Sequence, residues 1–267
     1  MRLTMLGTGK ALVTNCYNTC FVLSEEDRRI LVDGGGGNGI QRQLKAAGYE
    51  WKAMRHIIVT HKHMDHLLGI FWMTRLICQT MSKGTYEGDA FIYSHEEVTE
   101  LVRDMAQKVL TKKESAFIDT RLHLVTVHDA EELVIQGWRV TFFDIGSTKA
   151  TQYGFSLDPG DGKRLVCCGD EPCKPCAFKY AKGCEWLLHE AFCLSSEADI
   201  FEPYEKHHST VKDAATLADK LGVRNLVLYH TEDTDLKNRK RRYHEEGAQY
   251  FSGKLYIPDD LESLELF

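Results

Sequence analysis

Three imidazoles and a carboxylate fall within six positions of this chain, in His61-Lys62-His63-Met64-Asp65-His66. Neutral imidazole nitrogens and a carboxylate oxygen together suit a borderline divalent cation such as zinc. The whole chain holds only twelve histidines, so three beside one aspartate in so short a run point to metal binding rather than to a polar loop. The run follows the apolar stretch His56–Val59, which reads as a buried strand ending at Thr60. Loops at the carboxyl ends of strands are where α/β proteins assemble sites. His61 and His63 alternate and face the same way, while Asp65 and His66 come round on the turn into the next helix.

Other predicted strand ends carry chemistry of the same kind. Asp33 follows the strand Arg29–Val32 and precedes four glycines. Asp170 follows Leu165–Gly169, His189-Glu190 ends another strand, and His230 follows Leu226–Tyr229. His207-His208-Ser209-Thr210 opens a helix at Val211. Each alone reads as a cap or a turn. Together they mark one end of a sheet as a site, with Asp170 a candidate carboxylate shared between two metals.

The elements that must position these groups follow from periodicity. Strands are expected at Arg2–Leu6, Thr19–Leu23, Arg29–Val32, His56–Val59 and Phe91–Tyr93. A strand-rich middle follows at His123–Val127, Glu132–Ile135, Trp138–Phe143, Tyr153–Leu157 and Arg164–Cys168. The last third adds Glu185–His189, Asn225–Tyr229 and Lys254–Ile257. Helices are expected over Ile40–Ala47, Leu67–Met81, Glu96–Leu110, Val211–Leu221 and Leu236–Tyr250. Strands in such number with helices along the whole length imply an α/β fold of two sheets covered by helices. No repeat or linker divides residues 1–267, so one domain is expected.

Bulk properties narrow the classes. A net charge of −6 argues against broad nucleic-acid binding. The opening MRLTMLGTGKAL has no apolar export segment and no later stretch is apolar enough for a bilayer, so a cytoplasmic protein is expected. Nine irregularly placed cysteines read as reduced thiols. Cys173 and Cys176 have zinc-pair or redox spacing, but no second pair accompanies them. The basic run 237–242 reads as a solvated helix face balanced by Glu245 and Glu246, with a phosphate clamp as its functional rival. Phe71 and Trp72 fit a packed helix face, Tyr153 either lines a cleft or packs in the core, and Met73–Gly88 is a candidate flap.

These motifs resemble the metallo-β-lactamase-fold hydrolases, and within them the ribonuclease Z-like branch, over nearly the whole chain. Thr4-Met-Leu-Gly-Thr-Gly9 is similar to the opening strand and turn, and Leu31-Val-Asp33-Gly-Gly to the buried aspartate that supports the metal loop. THKHMDH matches the HxHxDH signature. Cys168-Gly-Asp170, His189-Glu-Ala-Phe192, His208-Ser-Thr210 and Leu226-Val-Leu-Tyr-His230 follow in the family's order. The resemblance implies a four-layer αββα sandwich with two metals. One would take His61 and His63, the other Asp65, His66 and His230, with Asp170 bridging. Zinc is the implied metal and manganese the alternative. A metal-bound hydroxide would attack phosphorus, oriented by Asp65, while His208 paired with Glu190 serves the leaving group.

Two departures qualify that picture. The resemblance places a further histidine ligand at Gly146, so the first site keeps His61, His63 and Asp170, with water, Asp144 or His128 to fill the gap. The long arm that holds tRNA is absent, because Glu171–Gly183 is too short. A small phosphodiester or nucleotide is therefore the expected substrate rather than tRNA, with no membrane partner and a homodimer allowed by the resemblance. The rivals are lactone or thioester hydrolysis on the same fold, and a catalytically weak metal- or nucleotide-binding module.

Overall fold

The computed structural model describes residues 1–267, which divide into two compact units. The first comprises Met1–Gly7, Tyr17–Val127 and Leu261–Phe267; the second comprises Thr8–Cys16 and His128–Asp260.

The first unit is built on β1 (Arg2–Gly7), β2 (Cys20–Glu25), β3 (Arg28–Val32), β4 (His56–Ile58), β5 (Ala90–Ser94), β6 (Leu122–Thr126) and the closing strand β14 (Ser263–Glu265). These form one seven-stranded sheet in the order β14-β1-β2-β3-β4-β5-β6. Pairing is antiparallel from β14 to β3 and parallel from β3 to β6. Helices α1 (Gly39–Ala46), α2 (Met64–Ser82), α3 (Glu96–Val109) and the short α4 (Lys112–Ser115) complete it. Val22, Leu31, Ile57 and Ile92 pack with Ile40 and Leu44 of α1, Ile70, Met73 and Ile77 of α2 and Val98 and Val102 of α3. Each such fully buried aliphatic contributes roughly 1.5–3 kcal/mol. The intervening strand residues Phe21, Ile30, Val32 and Ile58 are buried as well, which is why these strands read as continuous apolar runs.

The second unit carries β7 (Glu132–Ile135), β8 (Trp138–Asp144), β9 (Tyr153–Asp158), β10 (Leu165–Cys167), β11 (Trp186–Glu190), β12 (Asn225–Tyr229) and β13 (Lys254–Tyr256), in the order β13-β12-β11-β10-β9-β8-β7. Again an antiparallel meander, β7 to β10, passes into a parallel half, β10 to β13. Short helices α5 (Phe178–Ala181) and α6 (Ala198–Phe201) precede α7 (Val211–Lys220) and α8 (Leu236–Gly247). Val166, Leu187, Leu226 and Leu228 pack with Val211, Ala214, Ala215 and Ala218 of α7 and with Tyr243 of α8. In both units the parallel strands lead the chain to the candidate residues: Asp33 after β3, His61 after β4, Asp170 after β10 and His230 after β12.

The expected boundaries hold to within a few residues, with three differences of substance. Helix α2 starts at Met64, so Asp65 and His66 lie in its first turn, where a carboxylate also suits the positive helix end. Of the candidate flap Met73–Gly88, Met73–Ser82 is the second half of α2, with Met73, Ile77, Cys78 and Met81 buried in the core, and only 83–88 is turn and loop. The strand β14 escaped notice because Ser263-Leu264-Glu265 has too few apolar residues to show a period. It is recruited by pairing Arg2 to Glu265 and Thr4 to Ser263. No helix is long and apolar enough to cross a membrane.

Candidate metal-ligand clusters

In the first unit, the buried Asp33 organises the histidine loop. One of its oxygens accepts the Thr60 backbone N–H at 2.8 Å, and the other accepts the Thr60 hydroxyl at 2.8 Å and lies 2.7 Å from His66 Nδ1. With Nδ1 engaged by Asp33, His66 turns its Nε2 toward Asp65 Oδ2 at 3.4 Å. Thr60 has given its only proton to Asp33, so its oxygen accepts from His61 Nδ1 at 2.9 Å. The remaining nitrogen, His61 Nε2, lies 2.9 Å from His63 Nδ1. For His61 and His66 the nitrogen facing the cluster is thereby selected by a bond at the other side of the ring, the arrangement that metal-ligating imidazoles use. His61, Asp65 and His66 are buried and His63 is half-buried. Burial opposes the charged form of His66, but the carboxylates of Asp65 and Asp33 outweigh it and hold its pKa well above the usual histidine value.

The close glycines explain how this loop is held. A Cβ on Gly69 of α2 would stand 1.8 Å from the Gly34 carbonyl oxygen. Two main-chain bonds cross at this contact, Gly34 N–H to His66 O at 2.8 Å and Gly69 N–H to Gly35 O at 2.9 Å. Helix and Asp33 loop are thus joined backbone to backbone.

In the second unit, Asp170 receives a hydrogen bond from Gln152 Nε2 at 2.5 Å on Oδ1, while Oδ2 lies 3.8 Å from His230 Nε2. Glu190, at the end of β11 and fully buried, accepts the Ser209 N–H at 2.7 Å and hydroxyl at 2.6 Å on Oε1. Its Oε2 lies 3.5 Å from His208 Nδ1. The His208 ring stacks on Phe192, centroids 4.7 Å apart, and tilts toward His230 at 5.3 Å. Burial opposes protonation of His208, and Glu190 overcomes it, so its pKa is raised. His189 is not a ligand: Nε2 accepts the Cys173 N–H at 3.0 Å and Nδ1 bonds the Glu190 carbonyl at 2.7 Å. Thr210 caps α7 through a capping box with Asp213, fixing the Ser209 turn in front of it.

The candidate ligands are therefore His61, His63, Asp65 and His66 in one unit and Asp170 and His230 in the other. Left-handed backbone occurs near these residues as it does at six other non-glycine positions. Asp33, His207 and His230 all have left-handed φ, at 57°, 62° and 58°. Such conformations cost on the order of 1–3 kcal/mol each and persist where the surroundings over-determine them.

Gly146 has a structural reason to be glycine. Its φ is +69°, and a Cβ would meet Cys176 Sγ at 3.3 Å. Asp144, rather than reaching for a metal, accepts the Gly146 N–H at 2.7 Å and is exposed, as is His128. The Gly146 loop is fastened to the Asp170 turn by Lys174, whose ammonium bonds both the Gly146 carbonyl and Glu171 at 2.8 Å. Ser147 donates to the buried Glu171 at 2.6 Å.

Two sequence features resolve as structural. The basic run is neither solvated throughout nor free to clamp phosphate. Arg239 is buried against Thr8, Thr231, Pro258 and Asp259, Lys240 pairs with Asp259, Arg241 with Glu245 and Arg242 with Glu197 and Asp235. Glu246 instead receives the Ser195 and Lys212 backbone N–H groups. Cys173 is buried beside Cys168 and Cys184, Cys176 is exposed, and all nine cysteines are free thiols.

Sequence reasoning missed Gln152, Thr60 as a relay, and Glu171. Gln152 gives no signal beyond a single polar residue before β9, and only its contact with Asp170 marks it.

Comparison with known proteins agrees with this geometry. A curated Ribonuclease Z from Natronomonas pharaonis is 24% identical over 313 aligned positions, covering 100% of this chain and 98% of that protein. Among solved structures, the metallo-β-lactamase fold protein YhfI from Bacillus subtilis superposes with a TM-score of 0.78 at 18% identity, covering 98% of both chains. The short form of human tRNase Z gives 0.75 at 20% identity over 100% of both. The fold is that of the metallo-β-lactamase proteins, an α/β sandwich, in its ribonuclease Z-like form. The sequence profile of the family described as "Anti-Pycsar protein Apyc1" matches residues 1–252, more than nine-tenths of the length, and this chain belongs to that family.

Proposed function

We propose that the protein is a metal-dependent phosphodiester hydrolase in which both units act as one domain. The observation that carries the reading is the pair of oriented ligand sets: imidazoles pinned by Asp33 and Thr60 in one unit, and Asp170 with His230 in the other. Buried carboxylate and imidazole donors gathered in this way suit a divalent metal. His61 and His63 would hold one ion and Asp65, His66 and His230 a second, with Asp170 shared. Zinc is the metal these donors favour, with manganese the alternative. A bound metal supplies a Lewis acid that acidifies water and polarises a phosphoryl oxygen.

The chain's own residues do the rest. Asp65 orients the attacking water. Glu190, itself fixed by Ser209, holds His208 by Nδ1, so that Nε2 is the position from which a proton reaches the leaving oxygen. Gln152 holds one oxygen of Asp170 and leaves the other for metal. The phosphodiester reading is supported by curated relatives named ribonuclease Z. A small phosphodiester or nucleotide suits it better than tRNA, since Glu171–Gly183 is folded in with Cys173, Ala177 and Ala181 buried and forms no arm. A cytoplasmic homodimer belongs to the same reading.

Hydrolysis of bis(p-nitrophenyl) phosphate tests it. Turnover should disappear after chelation and return with zinc or manganese. Restored metal content without turnover, on this and on other phosphodiesters, would move the assignment to carboxyl esters.

A further inference from the structure

Helix α2 is apolar on more than the side that meets the sheet. Ile70, Met73 and Ile77 pack in the core, while Leu68, Phe71 and Trp72 line a cavity of about 530 Å³ in the first unit. Met105 and Val109 of α3 line it as well, together with Gly36, Gly37 and Asn38 just after the Asp33 turn. Trp72 is 40% exposed and Val109 60% exposed. A helix apolar on all sides is ordinarily covered, and exposed apolar side chains gathered around a hollow mark a binding site. Proteins hold small organic molecules in pockets of roughly 300–1,000 Å³, the range into which this cavity falls.

The polar lining says more about the occupant. Thr74, also in the lining, is 2% exposed, and its hydroxyl makes no hydrogen bond. Elsewhere in these helices Thr80 donates to the Leu76 carbonyl oxygen at 2.7 Å and Thr99 to the Glu96 carbonyl oxygen at 3.0 Å, the usual outlet for a threonine within a helix. Thr74 has no such outlet. A buried hydroxyl without a partner costs stability, so it favours whatever brings it an oxygen or nitrogen. Charge at the cavity is balanced. Arg75 lies over the Trp72 ring, 6.0 Å from its centroid. Glu114 is in the field of Arg75: its pKa is lowered first by the Thr111 N–H and hydroxyl and further by that guanidinium. With cation and anion answering each other, the lining draws no net charge.

We propose that this cavity binds a small uncharged molecule, mainly aromatic, that carries one hydroxyl or comparable hydrogen-bonding group. Its rings lie against Phe71, Trp72 and the Met105 thioether, and its polar group meets Thr74. A second copy of the chain is the rival occupant. In a two-fold contact the same patch meets itself, so a contact centred here sets hollow against hollow and leaves the Thr74 hydroxyl unanswered. The inference stands apart from the hydrolase reading, because none of the candidate metal ligands lines the cavity.

Calorimetric titration of the full chain at pH 7 tests it, with 2-naphthol and with 2-methylnaphthalene, which has nearly the same shape but no hydroxyl. The naphthol should bind one to one and at least about 5-fold more tightly, the contribution of one buried hydrogen bond. Thr74→Val keeps the shape and removes the hydroxyl. It should reduce the advantage to about 2-fold or less, leave methylnaphthalene binding unchanged, and melt no lower than the parent, because the deleted group had no partner. Trp72→Ala, at an exposed position and with its folding checked by a melting curve, should weaken both probes about 10-fold. No binding of either probe, equal binding of the two, or an advantage that survives Thr74→Val would overturn the proposal. A dimer in sedimentation that Trp72→Ala dissociates, with no probe bound by the parent, would give this face to a second copy and contradict it.

Discussion

Gln152 and Gly146 are the residues on which the chemistry of the second unit turns. Gln152 is fully buried and spends its amide N–H on Asp170. Replacing it with alanine removes the bond that orients the carboxylate without touching a ligand. Metal affinity should fall roughly 10–100-fold, the usual effect of losing a ligand's supporting bond, as read by competition with a chelating dye. Unchanged affinity would remove Gln152 from the site. At Gly146 the outcome runs against the family pattern. Gly146→His puts a side chain at φ +69°, a conformation that costs L-residues roughly 1–2 kcal/mol. The variant should melt earlier and bind metal no more tightly. A gain in metal affinity and turnover would show that this loop is a degraded ligand position. The histidine cluster was legible from sequence because spacing alone declares it. Gln152, Thr60 and Glu171 were not, because a supporting role is written in contacts between residues far apart in the chain.

At the scale of elements, α2 and the Asp33 loop behave as one piece. Their closeness depends on hydrogen atoms at Gly34 and Gly69, and Gly69→Ala forces its methyl group against a carbonyl oxygen. The expected cost is about 3 kcal/mol or more in denaturant unfolding, with loss of metal affinity because Asp33 no longer meets His66. The four glycines after Asp33 advertised a turn in the sequence, while the second function of Gly34, admitting α2, appears only once that helix is in place. Strand β4 supplies a test by pH. Burial, aided by Arg55, lowers the pKa of His56 to about 4. A histidine whose folded pKa is depressed binds more protons when unfolded, so stability is lost as pH falls through the unfolded value near 6.5. Between pH 7 and 5 this should cost about 1 kcal/mol after allowance for partial solvation of the ring. His56→Phe, which keeps the stacking on Phe91 (centroids 5.0 Å apart), should lose less stability than the parent over that interval. An equal loss would assign the acid sensitivity elsewhere.

Each unit taken whole repeats one plan, an antiparallel meander passing into parallel strands, with candidate ligands at the parallel ends. Two sheets covered by helices, with residues such as Asp33, Asp170 and His230 at strand ends, were readable from the alternation of elements, while the division into antiparallel and parallel halves was not. The pairing order was not readable, because β14 joins β1 from the far end of the chain and no local pattern announces it. The central claim is the proposed metal-dependent hydrolysis of phosphodiesters. The most direct test is the bound-metal content, by mass spectrometry, and the bis(p-nitrophenyl) phosphate turnover of His61→Ala in one unit and Asp170→Ala in the other. Both variants should remain folded, retain at most one weakly held ion, and lose turnover by at least 1000-fold, on the order expected when a catalytic metal is lost. Full metal content and full turnover in Asp170→Ala would contradict the account.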